Sequence, residues 1–305
     1  MSAGNSAERE TPEIDTTVPH VSRVYDYLLG GTANFKVDRE AADWAYAAWP
    51  GGFEAVRADA LAHRALLGRV VRYLVKEAGI RQFLDIGTGI PKQNNVHEVA
   101  QREAPESRIV YVDHDPIVLA HAHQLLRSSP EGAARYVYGE LRQPEEILAQ
   151  AAETLDFTRP VAVLMFGVLH LFPDAEDPAG VVRQLAAHLA PGSYVALTNL
   201  ASDVESSAMG ETFRRLSEQK LAEPVVLRSR DEVAALFGAL EIIEPGVVQL
   251  PQWHPEPDGQ APGPVPMWCG VARKTAAQSL SGNRAPGSQQ MPPGGSVPEP
   301  PETYG

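Results

Sequence analysis

Cysteine is almost absent from these 305 residues. Cys269 stands alone, so no internal disulfide forms, and no Cys/His cluster has zinc-finger spacing. That usage fits a reducing cytoplasm. Long apolar runs are lacking too: the longest, residues 160–172, is interrupted by His170, and the first twenty residues hold no apolar stretch of the kind an export signal needs. A soluble, unexported cytoplasmic protein with no membrane association is expected. Positive charge is in deficit, with 26 Lys and Arg against 39 Asp and Glu and a net charge of −13. Nucleic-acid affinity rests largely on cationic side chains neutralising phosphates, so DNA and RNA are not the expected partners. What is present, 44% hydrophobic and 21% charged residues, is ordinary globular composition and excludes wholesale disorder.

The pattern divides the chain into four. Residues 1–17 form a polar tail, and so do residues 275–305, where Pro, Gly, Ser and Gln leave almost nothing apolar to offset ordering entropy; disorder is expected there. Residues 18–77 read as helices only, over 20–29, 37–49 and 53–77, ended by Pro50, Gly51 and Gly52 and then by Gly79. Residues 78–274 carry sixteen basic and twenty-six acidic side chains and alternate strand with helix. RQFLDI, RIVYVD, ARYVYG, PVAVLMFG and SYVALTN read as strands; helices are expected over 94–102, 116–127, 179–189, 204–220 and 231–237. Two extended runs, LEIIEPGVVQL and PMWCGVARK, follow and have the look of a hairpin. Strands linked by helical crossovers predict a parallel sheet wrapped on both faces.

The most informative stretch is FLDIGTGIPKQ, residues 83–93. A strand that ends at Asp-x-Gly-x-Gly and opens into a helix lets a ligand approach the backbone closely beside exposed helix N–H groups. The dinucleotide fingerprint G-x-G-x-x-G would need its third glycine where Lys92 stands, so the nicotinamide reading fails there. Asp85 instead puts negative charge at the mouth of the strand, which suits a ligand with a cationic end. Asp113 ends the second strand, where an acid takes both hydroxyls of a ribose through its two oxygens. Glu140, just past the third strand, is placed to accept from an adenine amino group.

On these residues the sequence resembles the class I S-adenosylmethionine (SAM) dependent methyltransferases. Asp85, Gly87 and Gly89 match the family's loop for the methionine part of SAM, Asp113 its ribose acid and Glu140 its adenine acid. Pro91 stands where the common motif has its last glycine. FLDIGTGIPKQNNVHEVA, VYVDHDPIVLAHA and RVYDYLLGGTANF look more specifically like the S-adenosyl methyltransferase subfamily, whose acceptor is generally unassigned. The resemblance spans roughly residues 18–274. It implies an α/β fold, a Rossmann-like doubly wound, mostly parallel seven-stranded sheet with the last strand antiparallel, plus an N-terminal helical cap over 18–77 and a SAM-binding domain over 78–274.

In many methyltransferases of this fold, N-terminal helices close over SAM. Tyr25 and Tyr27 are therefore expected to face the cofactor cleft, with Asn34 and Phe35 nearby. His170, after the fourth strand, is placed for a general base. Phe166 or Met165 is expected against the adenine ring, and His97 faces solvent or packs on the sheet. The fourth strand is followed by FGVL, not by the Asn/Asp-Pro-Pro-Tyr/Phe of amino-methylating nucleic-acid enzymes, and the single cysteine lies near the C-terminus in the last strand, which argues against cytosine C5 chemistry through a Pro-Cys nucleophile. The expected reaction is methyl transfer from SAM to a small organic acceptor. Two rivals are a SAM-binding sensor without turnover and a nicotinamide-dependent oxidoreductase.

Overall fold

The computed structural model describes residues 15–49, 51–90, 93–115, 117–118, 127–218, 225–256 and 265–276. Both predicted polar tails lie for the most part outside these residues, as does most of the helix expected over 116–127. Strands β1 (Gln82–Ile86), β2 (Arg108–Asp113), β3 (Ala133–Tyr138), β4 (Ala162–Met165) and β5 (Tyr194–Leu200) run parallel in the order β3-β2-β1-β4-β5. Two short strands, β6 (Glu241–Ile242) and β7 (Val248–Gln249), pair antiparallel with one edge of β8 (Met267–Arg273), whose other edge lies antiparallel to β5. Among the described residues the sheet counts eight strands, one more than the expected seven. The run expected as one strand divides at Pro245-Gly246, because proline supplies no N–H for a ladder and Gly246 turns at φ 87°.

Both faces of the parallel strands are buried, which is why they read as near-continuous apolar runs. Leu84, Val110, Val163 and Val195 point to one face, under α5 (Pro144–Ala151), α6 (Pro178–Ala187) and α8 (Arg230–Leu236). Phe83, Ile109, Tyr111, Leu164 and Ala196 point to the other, under α3 (Gly52–Lys76) and α4 (Val96–Glu103). The helix α5 has no counterpart in the sequence reading. Its signal was there: Pro144 at the first turn, then Glu145 and Glu146 beside the exposed N–H groups.

The predicted cap helices appear as α1 (Val21–Leu28), α2 (Lys36–Tyr46) and α3, and α7 (Ser206–Glu218) packs beside α2. At 25 residues α3 is about 37 Å long. Its C-terminal half, Leu66 to Val75, is core on the sheet, while its N-terminal half contacts α1 and α2. The end of this helix is where the sequence reading divided cap from SAM-binding domain, so one helix serves both regions. Among the described residues no helix is long and apolar enough to cross a membrane.

A buried ion pair sets the angle between α1 and α2. Arg23, 2% exposed, donates from Nε to both oxygens of Asp38, 0% exposed, at 3.0 and 2.9 Å. The backbone N–H groups of His20 and Phe35 donate to the same carboxylate at 2.9 and 2.7 Å, and the guanidinium also reaches the carbonyls of Asp15 and Val18. Removing one partner would strand the other charge in a dry site. Arg23→Ala is expected to lower the unfolding free energy by about 3–5 kcal/mol in a urea titration; a loss under about 1 kcal/mol would show that the pair does not hold the cap.

Candidate functional site

A cavity of about 260 Å³ opens at the C-terminal ends of β1, β2, β4 and β5, with α1, the end of α2 and the first half of α3 as its far wall. This is the edge at which strand order reverses between β1 and β4, the place where open α/β sheets bind ligands. The cavity has two unlike sides. Over β1 and β2 lie Asp85, Gly87, Thr88, Gly89, Asp113 and His114; over β4 and β5 lie Phe166 to Val168, His170 and Leu200, facing Tyr25, His63 and Trp49.

On the first side the two glycines are needed for different reasons. Gly87 has φ 71°, and a Cβ there would stand 2.1 Å from Val168 Cγ1, so the β4 loop approaches too closely for any side chain. Gly89 has φ 65° and open space where a Cβ would be, leaving its backbone bare to the cavity. Asp113 holds this loop: Oδ2 accepts from Gly89 N–H at 2.8 Å and Oδ1 from Asp115 N–H at 3.0 Å. Asp85 is 5% exposed. Burial pushes its carboxyl up to about 7, against the opposing pull of Arg64 and the Thr88 hydroxyl. Asp113 is raised by the same cause, and its backbone hydrogen bonds oppose the rise.

On the second side three polar side chains from distant segments meet. The Tyr25 hydroxyl lies 3.1 Å from His63 Nδ1, His63 Nε2 lies 2.9 Å from Thr198 Oγ1, and Thr198 Oγ1 accepts from Gly167 N–H at 2.8 Å. The Phe166 ring stands 5.6 Å from the His63 ring. Burial lowers His63 to about 3 and raises Tyr25 to about 12, so both are neutral at ordinary pH. His170 is lowered to about 4 by burial and by Arg228, and its Nδ1 has no hydrogen-bond partner among the described residues. Arg228, itself buried, fixes the turn that carries His170 by donating to the carbonyls of Leu169 and Phe172 at 2.9 and 2.8 Å.

Of the residues singled out from sequence, Asp85, Gly87, Gly89, Asp113, Phe166, His170 and Tyr25 all line this cavity. Tyr27 does not. Two positions along a helix amount to roughly 200° of rotation, so Tyr25 and Tyr27 face opposite ways, and the Tyr27 hydroxyl donates to Asp43 Oδ1 at 3.2 Å with its ring against Phe53. Glu140 is also off the lining; its Oε1 sits 3.3 Å from Arg142 Nη1. Asn34 donates to Asp26 Oδ2, and Phe35 packs under the Arg23 guanidinium. Met165 is core on the opposite sheet face, which leaves Phe166 as the member of that pair in the cavity. His97 packs on the sheet, with Nδ1 2.7 Å from the Tyr111 hydroxyl. Pro91 and Lys92 lie outside the described residues.

His63, Arg64 and Thr198 were not foreseen. Arg64 reaches the turn after the glycine loop, donating to Gln93 O at 3.1 Å. The signal for His63 was a polar residue on the apolar stripe of Val56, Ala60 and Leu67; for Thr198 it was a hydroxyl inside a strand buried along its whole length. Among the described residues no group of three acids, histidines or cysteines could hold a metal ion.

The raised Asp85 carboxyl makes a signed prediction. The folded state holds a proton that the unfolded state, near 3.9, has already released. Stability from this group is therefore full below about 4 and is lost as pH rises to about 7. Asp85→Asn should flatten the fall in ligand-free unfolding free energy over that window, and an unchanged slope in urea titrations at successive pH values would refute the assignment.

Residues 7–275 match the family described as S-adenosyl methyltransferase. A solved DUF574 family protein from Streptomyces avermitilis MA-4680 is 42% identical, with 86% of this chain and 100% of that one covered and a TM-score of 0.80. A solved protein from Thermobifida fusca YX is 40% identical, with 86% and 97% covered and a TM-score of 0.76. No curated protein matches the sequence. With nearly its whole length matched, the chain belongs to the S-adenosyl methyltransferase family, and it is a SAM-dependent methyltransferase.

Proposed function

We propose that the protein transfers the methyl group of SAM to a small, largely apolar acceptor bound in the cavity between the sheet edge and the helices α1 to α3. The observation that carries this reading is the cavity's two-sidedness. Buried acids and a bare glycine backbone lie over β1 and β2, while aromatic and aliphatic walls with neutral histidines lie over β4 and β5.

The first side suits SAM on its own chemistry. Space over Gly89 admits a ligand close against the backbone. Two buried carboxylates whose ionisation is penalised gain from a cationic guest. In this reading Asp85, Gly87 and Gly89 hold the methionine end, with Arg64 as a cation near Asp85 for its carboxylate. Asp113 takes the ribose hydroxyls with lone pairs its backbone bonds leave free, and Phe166 packs against the adenine. Glu140 reaches the adenine amino group only if it leaves Arg142. The bound sulfonium supplies an activated methyl group. The chain's part is alignment and exclusion of water, which provide much of the rate for an in-line displacement.

The second side suits a largely apolar acceptor. Tyr46, Trp49, Val56, Leu200, Phe213 and Met267 offer apolar surface, and His170 Nδ1 is a buried polar atom free to bond whatever enters. The −10 over residues 78–274 disfavours a nucleic-acid acceptor. A cytoplasmic setting accords with the buried free thiol of Cys269.

Asp113→Ala is expected to weaken SAM binding by about 1–3 kcal/mol, measured by isothermal titration calorimetry, because a charge-assisted pair of ribose bonds is lost. Binding at wild-type strength would remove Asp113 from the cofactor site. Failure of the wild-type protein to bind SAM at all would overturn the functional reading.

A further inference from the structure

Asp59 lines the cavity from α3, beside Trp49 and so on the acceptor side. Its Oδ2 accepts from Trp49 Nε1 at 2.9 Å. Among the described residues its Oδ1 has no hydrogen-bond partner, and no cation stands within ion-pair distance of it. We infer, on the small-molecule reading above, that Asp59 is the specificity-determining residue of the acceptor site, that it takes the ammonium group of an amine carried on an apolar body, and that the nitrogen of this amine receives the methyl group.

A carboxylate is a costly way to receive an indole N–H. An amide oxygen would take the same bond without a charge, whereas this half-buried carboxylate loses hydration and is compensated only by a neutral donor. Burial accordingly raises the Asp59 carboxyl, opposed by the Trp49 bond alone. A cationic guest removes that cost. Arg64, a cation on the lining, does not: it is engaged by the 93–95 turn and acts on Asp85, Tyr25 and His63, not on Asp59. The surrounding rings suit the same guest. Trp49 meets Tyr46 and Phe213 edge-on, with centroids 5.9 and 6.3 Å apart, and all three line the cavity. Aromatic faces attract an ammonium while giving its hydrocarbon body apolar surface.

The row of Thr198 in β5, His63 in α3 and Tyr25 in α1 leaves this role to Asp59. Thr198 Oγ1 accepts from Gly167 N–H at 2.8 Å and donates to His63 Nε2 at 2.9 Å. His63 then carries its hydrogen on Nδ1 and donates it to the Tyr25 hydroxyl at 3.1 Å, which donates in turn to Ala60 O at 3.5 Å. Each hydrogen of the row is used inside the protein, and each member is neutral. The row ties α1 and α3 to β5 and offers an ammonium no counter-charge.

The step balances. An ammonium has no lone pair, so one N–H bond breaks first: its proton passes to Asp59 Oδ1 and on to solvent, which reaches this half-buried group, and the bonding pair stays on nitrogen. That pair forms the new N–CH₃ bond, and the pair of the broken C–S bond stays on sulfur as a neutral thioether. Positive charge thus leaves sulfur and appears on nitrogen, beside the Asp59 carboxylate. A fixed anion at the end where charge develops favours the transition state over the bound neutral amine. An alcohol of the same shape gains one hydrogen bond and no charge pairing, and an anionic acceptor meets like charge.

Binding to the full-length protein with S-adenosylhomocysteine present is the first test. 2-Phenylethylamine should bind at least about tenfold more tightly than 2-phenylethanol, which has the same body and a neutral hydroxyl, and the difference should vanish in Asp59→Asn. An Asn oxygen still accepts from Trp49 Nε1, so this variant removes the charge and keeps the bond. Its affinity for S-adenosylhomocysteine should stay within about twofold; a loss of about tenfold would place Asp59 in the cofactor half and overturn the inference. Equal affinities for the two probes in the wild type, binding of neither, or a preference that survives in Asp59→Asn would overturn the inference alone. A wild type that binds no S-adenosylhomocysteine and no SAM would overturn the reading beneath it. With SAM, mass spectrometry should find N-methyl-2-phenylethylamine, and kcat/KM for its formation should fall at least about 100-fold in Asp59→Asn. An amine bound through Asp59 yet left unmethylated would sink the assignment of its nitrogen as the methyl acceptor.

Discussion

The apolar stripe of Leu66, Leu67, Val70, Val71, Leu74 and Val75 on α3 is buried against one face of the sheet, and each such side chain contributes about 1.5–3 kcal/mol by leaving water. Because the same helix extends for nearly four turns before Leu66, this docking dictates where Val56, Asp59, Ala60, His63 and Arg64 lie. They become the wall of the cavity. The first two helices then have little freedom: the Arg23–Asp38 pair fixes their mutual angle, and α1 lays Tyr25 against His63. The N-terminal helices and the cavity edge of the sheet are thus one mechanical unit, joined by a helix that is core at one end and cavity wall at the other.

Burial acts on the cavity's titratable groups with one cause and opposite directions. It raises Asp85, Asp113 and Tyr25 and lowers His63 and His170, so in every case the uncharged form is favoured. Desolvation thus resists charge on each of these five groups. A cation over β1 and β2 would reverse the balance for the acids there, and would leave the histidines beyond it neutral. The two halves can therefore differ in charge while sharing one cavity.

Much of this was legible in the sequence because the signals were local. Strands buried on both faces announce themselves as apolar runs, and Asp85, Gly87, Gly89 and Asp113 sit at strand ends where a tight turn makes demands that few residues meet. The helix α5 was missed although Pro144, Glu145 and Glu146 marked its start, because the segment was read only for its flanking strands. Tyr27 and Glu140 show the limit of reading by proximity. Being near the right strand or on the right helix does not fix which way a side chain turns, and local partners, Asp43 and Arg142, claimed both. The Tyr25, His63 and Thr198 row could not be seen at all, since no short-range pattern relates a helix residue to a strand residue 135 positions later.

Cys269 sits in the antiparallel strand β8 at 2% exposure, with Sγ donating to Val248 O and its thiol pushed up to about 12 by burial. In the folded molecule the sole native thiol is therefore silent toward alkylating reagents, which attack the exposed thiolate. A cysteine introduced on the solvent side of α1 would be a unique chemical handle, able to carry a spin label or fluorophore that reports how the cap sits over the cavity. The buried thiol itself becomes an internal clock, because its labelling requires the sheet to open and so times the opening of the core.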